Sequence, residues 1–431
     1  MGRAGPRPAL RAGGLPRHLD HRQRAGHPHP FPPRAGRHVR RLRHPPERGG
    51  GPPAGGTVAG AGGAAPLRGD GGQPRGKGRH AMTRHYLALD GMRGVAALAV
   101  VLYHIAAVPH LRAPSGYLAV DFFFALSGFV IAHAYRRRLL DGMSFAEFTM
   151  LRIARLYPVL LLGFLLASMR GAALLLLGDP GAPSIEELVS GSTLNLVLLP
   201  TPIVGAYMFL NVPAWSLMFE IIANLAYARW VGLLTSGALV GVLLVSGVLL
   251  VPVAYAGLFG AGGTIDTFHV GLVRVIFSFS MGLLLHGLRE RFPALTLNPY
   301  LLVALLFAAL AAPIAHPLYD LVFVVVLTPA FLILGANSRS FLGAKWLGEI
   351  SYPVYALHYS LLSIGSLAAG KAGIPPWVGM VGLVAAFCLA TPLLTQFYDI
   401  PFRQRLRQAM GRALALAEPR AGADASSGRS A

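Results

Sequence analysis

The 431 residues are 54% hydrophobic and only 13% charged, and the chain carries a formal net charge of +20. An average soluble domain has about 25% charged residues, so a water-soluble fold is excluded, and apolar runs long enough for a hydrocarbon core of roughly 30 Å recur along the chain. The basicity resembles a nucleic-acid signal until it is located: +13 of it lies in residues 1–81, which leaves +7 for residues 82–431. No nucleic-acid partner is expected.

Residues 1–81 are rich in Arg, Pro, Gly and His, hold seven of the 15 histidines, and show neither helical nor strand periodicity. Disorder is expected there, together with a biological start at Met82. The alternatives are a basic cytoplasmic tail touching anionic lipid or nucleic acid, and an inert tail. Residues 82–402 read as one membrane domain and residues 403–431 as a polar cytoplasmic tail. Cys388 stands alone, so no intramolecular disulfide or cysteine metal site exists.

The expected class is all-α, a polytopic integral membrane protein of about ten transmembrane helices. The apolar runs fall near 87–108, 116–135, 153–177, 212–230, 231–256, 269–288, 298–315, 318–335, 350–369 and 375–397. Arg and Lys gather at alternate ends, whereas the opposite side offers Arg112 and Lys371 in loops and Arg170 and Arg274 near span ends. Both termini are therefore expected in the cytoplasm. The longest outer loop, about 178–211, carries Asp179, Glu186 and Glu187 and reads as solvated, or as part of an acceptor-binding surface.

In the first run, Arg93 and His104 are 11 residues apart, only about 20° beyond three full turns, and so share a face about 16.5 Å apart along the axis. That spacing sets His104 about halfway across the membrane, with Ala97 and Val100 on the same stripe leaving room for a narrow channel. Buried ionisable residues in a membrane normally face a cavity or a partner. In "GYLAVDFFFALSGFVIAHAYRRRL", Asp121 sits in the outer part of a span, Ser127 offers a hydroxyl in its middle, and Gly128 permits close approach of a helix or ligand. In "FTMLRIARLYPVLLL", Arg152 and Arg155 share a face and suit bidentate contact with phosphates. "VPAWSLMFEIIANLAYA" buries Glu220, and "GEISYPVYALHYSLL" holds Glu349 and His358.

Taken in order, these stretches resemble the acyltransferase 3 family, bacterial integral-membrane O-acyltransferases that modify polysaccharides and other extracytoplasmic acceptors. The resemblance covers about 84–402 and rests on Asp-Gly-x-Arg-Gly with Arg-x10-His, Asp-x-Phe-Phe-x-x-Ser-Gly-Phe, Arg-x-x-Arg-x-x-Pro, Trp-Ser-x-x-x-Glu and Ser-Tyr-x-x-Tyr-x-x-His. It implies transfer of an acyl group, usually acetyl from acetyl-CoA, to a hydroxyl presented from the other side of a bacterial inner membrane. It implies His104 as the catalytic histidine with Arg93 as its partner, Arg152 and Arg155 on the acyl-CoA donor, and supporting positions at Asp121, Ser127 and Glu220. The implied acceptor is a carbohydrate or glycoconjugate.

Neutral His104 suits general-base work at neutral pH, and a nearby guanidinium suits charge developing on the thioester oxygen. A covalent acyl-histidine is equally compatible with the residues. A transporter or flippase using Arg93, His104 and Glu220 as one proton or substrate pathway is the rival class, and an acyltransferase of another fold centred on His358 is the enzymatic rival. "GSLAAGKA" mimics a phosphate-binding loop but places Ala372 where a Ser or Thr is required. No bound cofactor or metal is expected.

Overall fold

The structure is a computed structural model that describes residues 86–105, 112–198, 201, 211–291 and 295–417, with side chains through residue 412. The expected disorder of 1–81, the start at Met82 and the last part of the tail lie outside the described residues.

Every regular element among the described residues is helical: α1 (Leu87–His104), α2 (Ala119–Leu140), α3 (Phe145–Leu176), α4 (Ile185–Leu196), α5 (Ala214–Trp230), α6 (Ser236–Tyr255), α7 (Phe268–Leu288), α8 (Pro299–Ala311), α9 (Pro317–Val322), α10 (Thr328–Asn337), α11 (Ala344–Lys371), α12 (Pro376–Leu394) and α13 (Ile400–Ala417). One π-turn, Phe323–Leu327, joins α9 to α10, and a second, Thr395–Asp399, joins α12 to α13.

Seven helical stretches among the described residues are long and apolar enough to cross a membrane. The three other expected spans are helical as well. Of these, α5 has 17 residues and α8 has 13, whereas α11 has 28 but interleaves Ser351, His358 and Ser360 with its apolar side chains.

The helix starts follow from local chemistry. Ser144 Oγ accepts from the Glu147 N–H at 3.0 Å, and Asn298 Oδ1 accepts from the Tyr300 N–H at 2.9 Å beside Pro299. The segment expected as a solvated loop, about 178–211, contains α4, because Ser184 and Glu187 form a reciprocal capping box. Asp179 closes a local turn on the Gly181 N–H at 2.8 Å. The expected polar tail likewise begins as helix α13, where Arg403 Nε donates to Asp399 Oδ1 at 2.7 Å.

Two close packings set the frame for the site. α1 lies along α11 and α2 along α7. A Cβ on Gly128 would strike the Phe279 carbonyl, and one on Gly282 would strike the Ala125 carbonyl. Gly128 therefore serves helix approach rather than ligand approach, as small residues do where lipid gives helices no hydrophobic drive to associate.

Candidate active site

A cavity of about 430 Å³ opens between α1, α2, α3, α5 and α11. Its wall on α2 runs from Val120 to Tyr135, about 22 Å at the helical rise. Tyr86, His133 and Tyr135 line one end, and Val120, Phe123, Ser216, Leu217 and Tyr355 line the other. Arg93, Ser127, Arg152, Arg155, Glu220 and Ser351 line it as well. Five residues singled out in the sequence thus share one space.

The polar side chains are tied to one another. Arg93 Nε donates to Ser351 Oγ at 2.8 Å and its Nη2 to the Gly348 carbonyl at 3.0 Å, with Asp90 Oδ1 at 3.4 Å. Ser127 Oγ donates to Glu220 Oε1 at 2.7 Å, and Arg152 Nη2 reaches the same oxygen at 3.5 Å. Arg152 is 6% exposed, and its Nε has no hydrogen-bond partner. Arg155 is exposed. A buried guanidinium with donors to spare, beside an exposed one, suits an anionic ligand of phosphate type.

His104 does not line this cavity. It is the last residue of α1, so it stands at the far end of the helix rather than halfway along a longer one. The apolar run continues to Val108, but a helix carried on through Pro109 would lose the hydrogen bond to the Ile105 carbonyl and clash with it. Ala97 and Val100, expected beside a channel, are 1% and 3% exposed and packed in the core. The pathway that a transporter reading needs is interrupted: Arg93 and Glu220 share the cavity, and His104 is outside it.

His104 instead meets His358, with ring centroids 4.9 Å apart. Its Nδ1 lies 2.9 Å from the Val100 carbonyl; a carbonyl can only accept, so Nδ1 carries the proton and Nε2 of the neutral ring has the free lone pair. His358 is fully buried, its Nδ1 is 2.7 Å from the Tyr355 carbonyl, and its Nε2 has no partner. Tyr355 is the link between the two places. It lines the cavity, and its ring centroid lies 5.8 Å from that of His358.

Asp121 belongs to a different assembly. It pairs with Arg274, Nη2 to Oδ2 at 2.7 Å, and also accepts from Ser278 Oγ at 3.2 Å. Arg274, read from the sequence as a charge near a span end, is 0% exposed inside the bundle. An arginine within an apolar helix was the available signal; its partner, 153 positions away in sequence, was not. Glu349 is exposed and pairs with Lys345 at 3.9 Å, away from the cavity. The stretch "GSLAAGK" is the end of α11. Ser351 and Tyr355, which the sequence showed only as motif positions without a role, precede His358 by seven and three positions, so that the three stand at i, i+4 and i+7 on one helix face.

Comparison with known proteins decides the class. Residues 86–395 match the family profile described as an acyltransferase domain. The chain belongs to the acyltransferase 3 family. It is similar to the "Protein 2 in picA locus" of Rhizobium radiobacter, 40% identical over 185 residues, or 39% of this chain and 94% of that protein. It is also similar to the "Acyltransferase MdmB" of Streptomyces mycarofaciens, 35% identical over 158 residues, or 33% of this chain and 38% of that protein. No solved structure matches. The protein is therefore a membrane acyltransferase, with an acyl donor and an acceptor as its substrates.

Proposed function

We propose that this acyltransferase moves an acyl group, acetyl foremost, from acyl-CoA to a hydroxyl of an extracytoplasmic carbohydrate or glycoconjugate. In this reading it lies in a bacterial inner membrane with both termini cytoplasmic. The observation that carries it is the gathering of Arg93, Ser127, Arg152, Arg155 and Glu220 around one elongated cavity whose far end adjoins His358 and, through it, His104.

Donor phosphates dock on Arg152 and Arg155, where fork-shaped donors match phosphate oxygens. Ser127 and Glu220 hold Arg152 in place. Arg93, fixed to Ser351 and Gly348, borders the cavity and steadies the thioester arm rather than the reacting carbonyl, since His104 is about 16.5 Å further along α1. At the far end His104 Nε2 accepts the proton of the acceptor hydroxyl as that oxygen bonds to the thioester carbon. The carbon–sulfur bond breaks, and the thiolate leaves and regains a proton as free CoA.

The test is CoA release from acetyl-CoA by the purified full chain with a hydroxyl acceptor, comparing wild type, His104→Ala and Arg152→Ala at matched folding. General-base loss lowers the rate by about 100-fold or more. Unchanged turnover in His104→Ala overturns its assignment, and failure of the wild type to bind acetyl-CoA overturns the donor reading.

A further inference from the structure

We infer that the far end of the cavity, walled by Val120, Phe123, Leu217 and Tyr355, is an acyl subsite that limits the length of the acyl chain the donor brings. This rests on the donor reading above and adds to it which acyl groups the enzyme accepts.

Apolar side chains such as Leu126, Val130, Ile131 and Leu156 line the rest of the cavity too, but there they alternate with charged ones, whereas none of the residues at this end is charged. Val120, Phe123 and Leu217 present hydrocarbon. The hydroxyls at this end, those of Ser216 and Tyr355, are already committed. Ser216 Oγ donates to the Pro213 carbonyl at 3.0 Å, so the Tyr355 O–H must donate to Ser216 Oγ, at 2.5 Å. An oxygen of phosphate or sugar finds no free donor among these side chains, whereas an acyl chain loses nothing by entering. The unpartnered Nε of Arg152 lies elsewhere on the same cavity. A ligand with an anionic head and a hydrocarbon end therefore has one favourable direction.

The wall is also fixed. Phe123 and Tyr355 meet edge to face, ring centroids 5.1 Å apart at 76°. Tyr355 is 6% exposed, pinned by Ser216 on one side, and its ring lies against His358 on the other. A chain that outgrows the subsite must displace this aromatic pair and, with it, the residue whose carbonyl orients His358. A short acyl group stops at Tyr355, whose ring adjoins His358; a long one does not fit, because close-packed interiors resist even one added methylene.

The experiment measures binding and CoA release with acetyl-, butyryl- and octanoyl-CoA for the purified full chain and for Phe123→Ala and Phe123→Leu. The wild type should prefer acetyl. Phe123→Ala should raise octanoyl relative to acetyl in kcat/KM by at least about tenfold, the scale on which hydrophobic pockets discriminate. Phe123→Leu should fall between, and it carries the test alone if the alanine variant does not fold. A wild type that uses all three donors equally, or variants that change all three rates by one factor, overturns the subsite while leaving the donor reading intact. A wild type that binds none of the three overturns the donor reading and the subsite with it.

Discussion

Arg152 and Arg274 are both buried in the bundle, at 6% and 0% exposed, and the protein treats them oppositely. Arg274 engages every nitrogen: Nε with both Asp121 oxygens at 3.3 and 3.2 Å, Nη1 with the Ala261 carbonyl at 2.8 Å, and Nη2 with Asp121 at 2.7 Å and the Tyr117 carbonyl at 3.3 Å. Trp215 and Phe259 cover it, with ring centroids 5.6 and 5.7 Å from its central carbon. Arg152 has one long contact to Glu220 and an Nε with no partner, and it borders a cavity. A saturated buried cation holds α2 to α7. An undersaturated one is suited to a ligand, since buried polar groups are otherwise almost always paired.

The largest effect should come from breaking the saturated site. Asp121→Ala strands a buried guanidinium and should cost about 3–5 kcal/mol, read as loss of folded protein in detergent thermal melts. Replacing both partners, Asp121→Leu with Arg274→Met, should recover most of that stability, because apolar residues of similar volume substitute well for a buried pair. If the single variant melts like wild type, Arg274 is not a structural cation. Arg152→Gln should do the reverse: nearly normal melting, with CoA release down by about 100-fold, the scale of losing one positioned donor.

How much of this was legible follows from the range of each signal. The helices could be read because a membrane span needs only a long apolar run, and the Arg152–Arg155 spacing placed two guanidiniums near one another because helical geometry is local. The end of α1 at His104 was obscured because apolar residues continue to Val108, and only Pro109 signals a stop. The capping box at Ser184 was a local signal overlooked inside a polar loop. The contacts of Asp121 with Arg274, of Arg93 with Ser351 and of His104 with His358 join distant parts of the chain. One sequence carries no information about such pairings.

Smaller effects sharpen the contrast inside the cavity. Ser127→Ala removes the 2.7 Å hydrogen bond to Glu220 but leaves Glu220 facing Arg152. A net hydrogen bond contributes about 1 kcal/mol, so CoA release should fall about fivefold with little change in melting. A fall as large as that of Arg152→Gln would mean that Ser127 touches the reacting groups rather than positioning Arg152.

The smallest effect separates two neighbours on α11. Glu349 and Ser351 are two positions apart and so lie about 200° apart around the helix. Ser351 is buried and holds Arg93 at 2.8 Å, whereas the side chains of Glu349 and its partner Lys345 are 45% and 83% exposed at 3.9 Å. An exposed pair of that kind contributes about 0.5 kcal/mol or less. Glu349→Gln should therefore leave melting and CoA release within about twofold of wild type, while Ser351→Ala, which takes one of the partners that fix Arg93, should lower CoA release about fivefold. Equal losses in the two variants would mean that the outer face of α11 also meets a substrate, and the cavity would then be only part of the site.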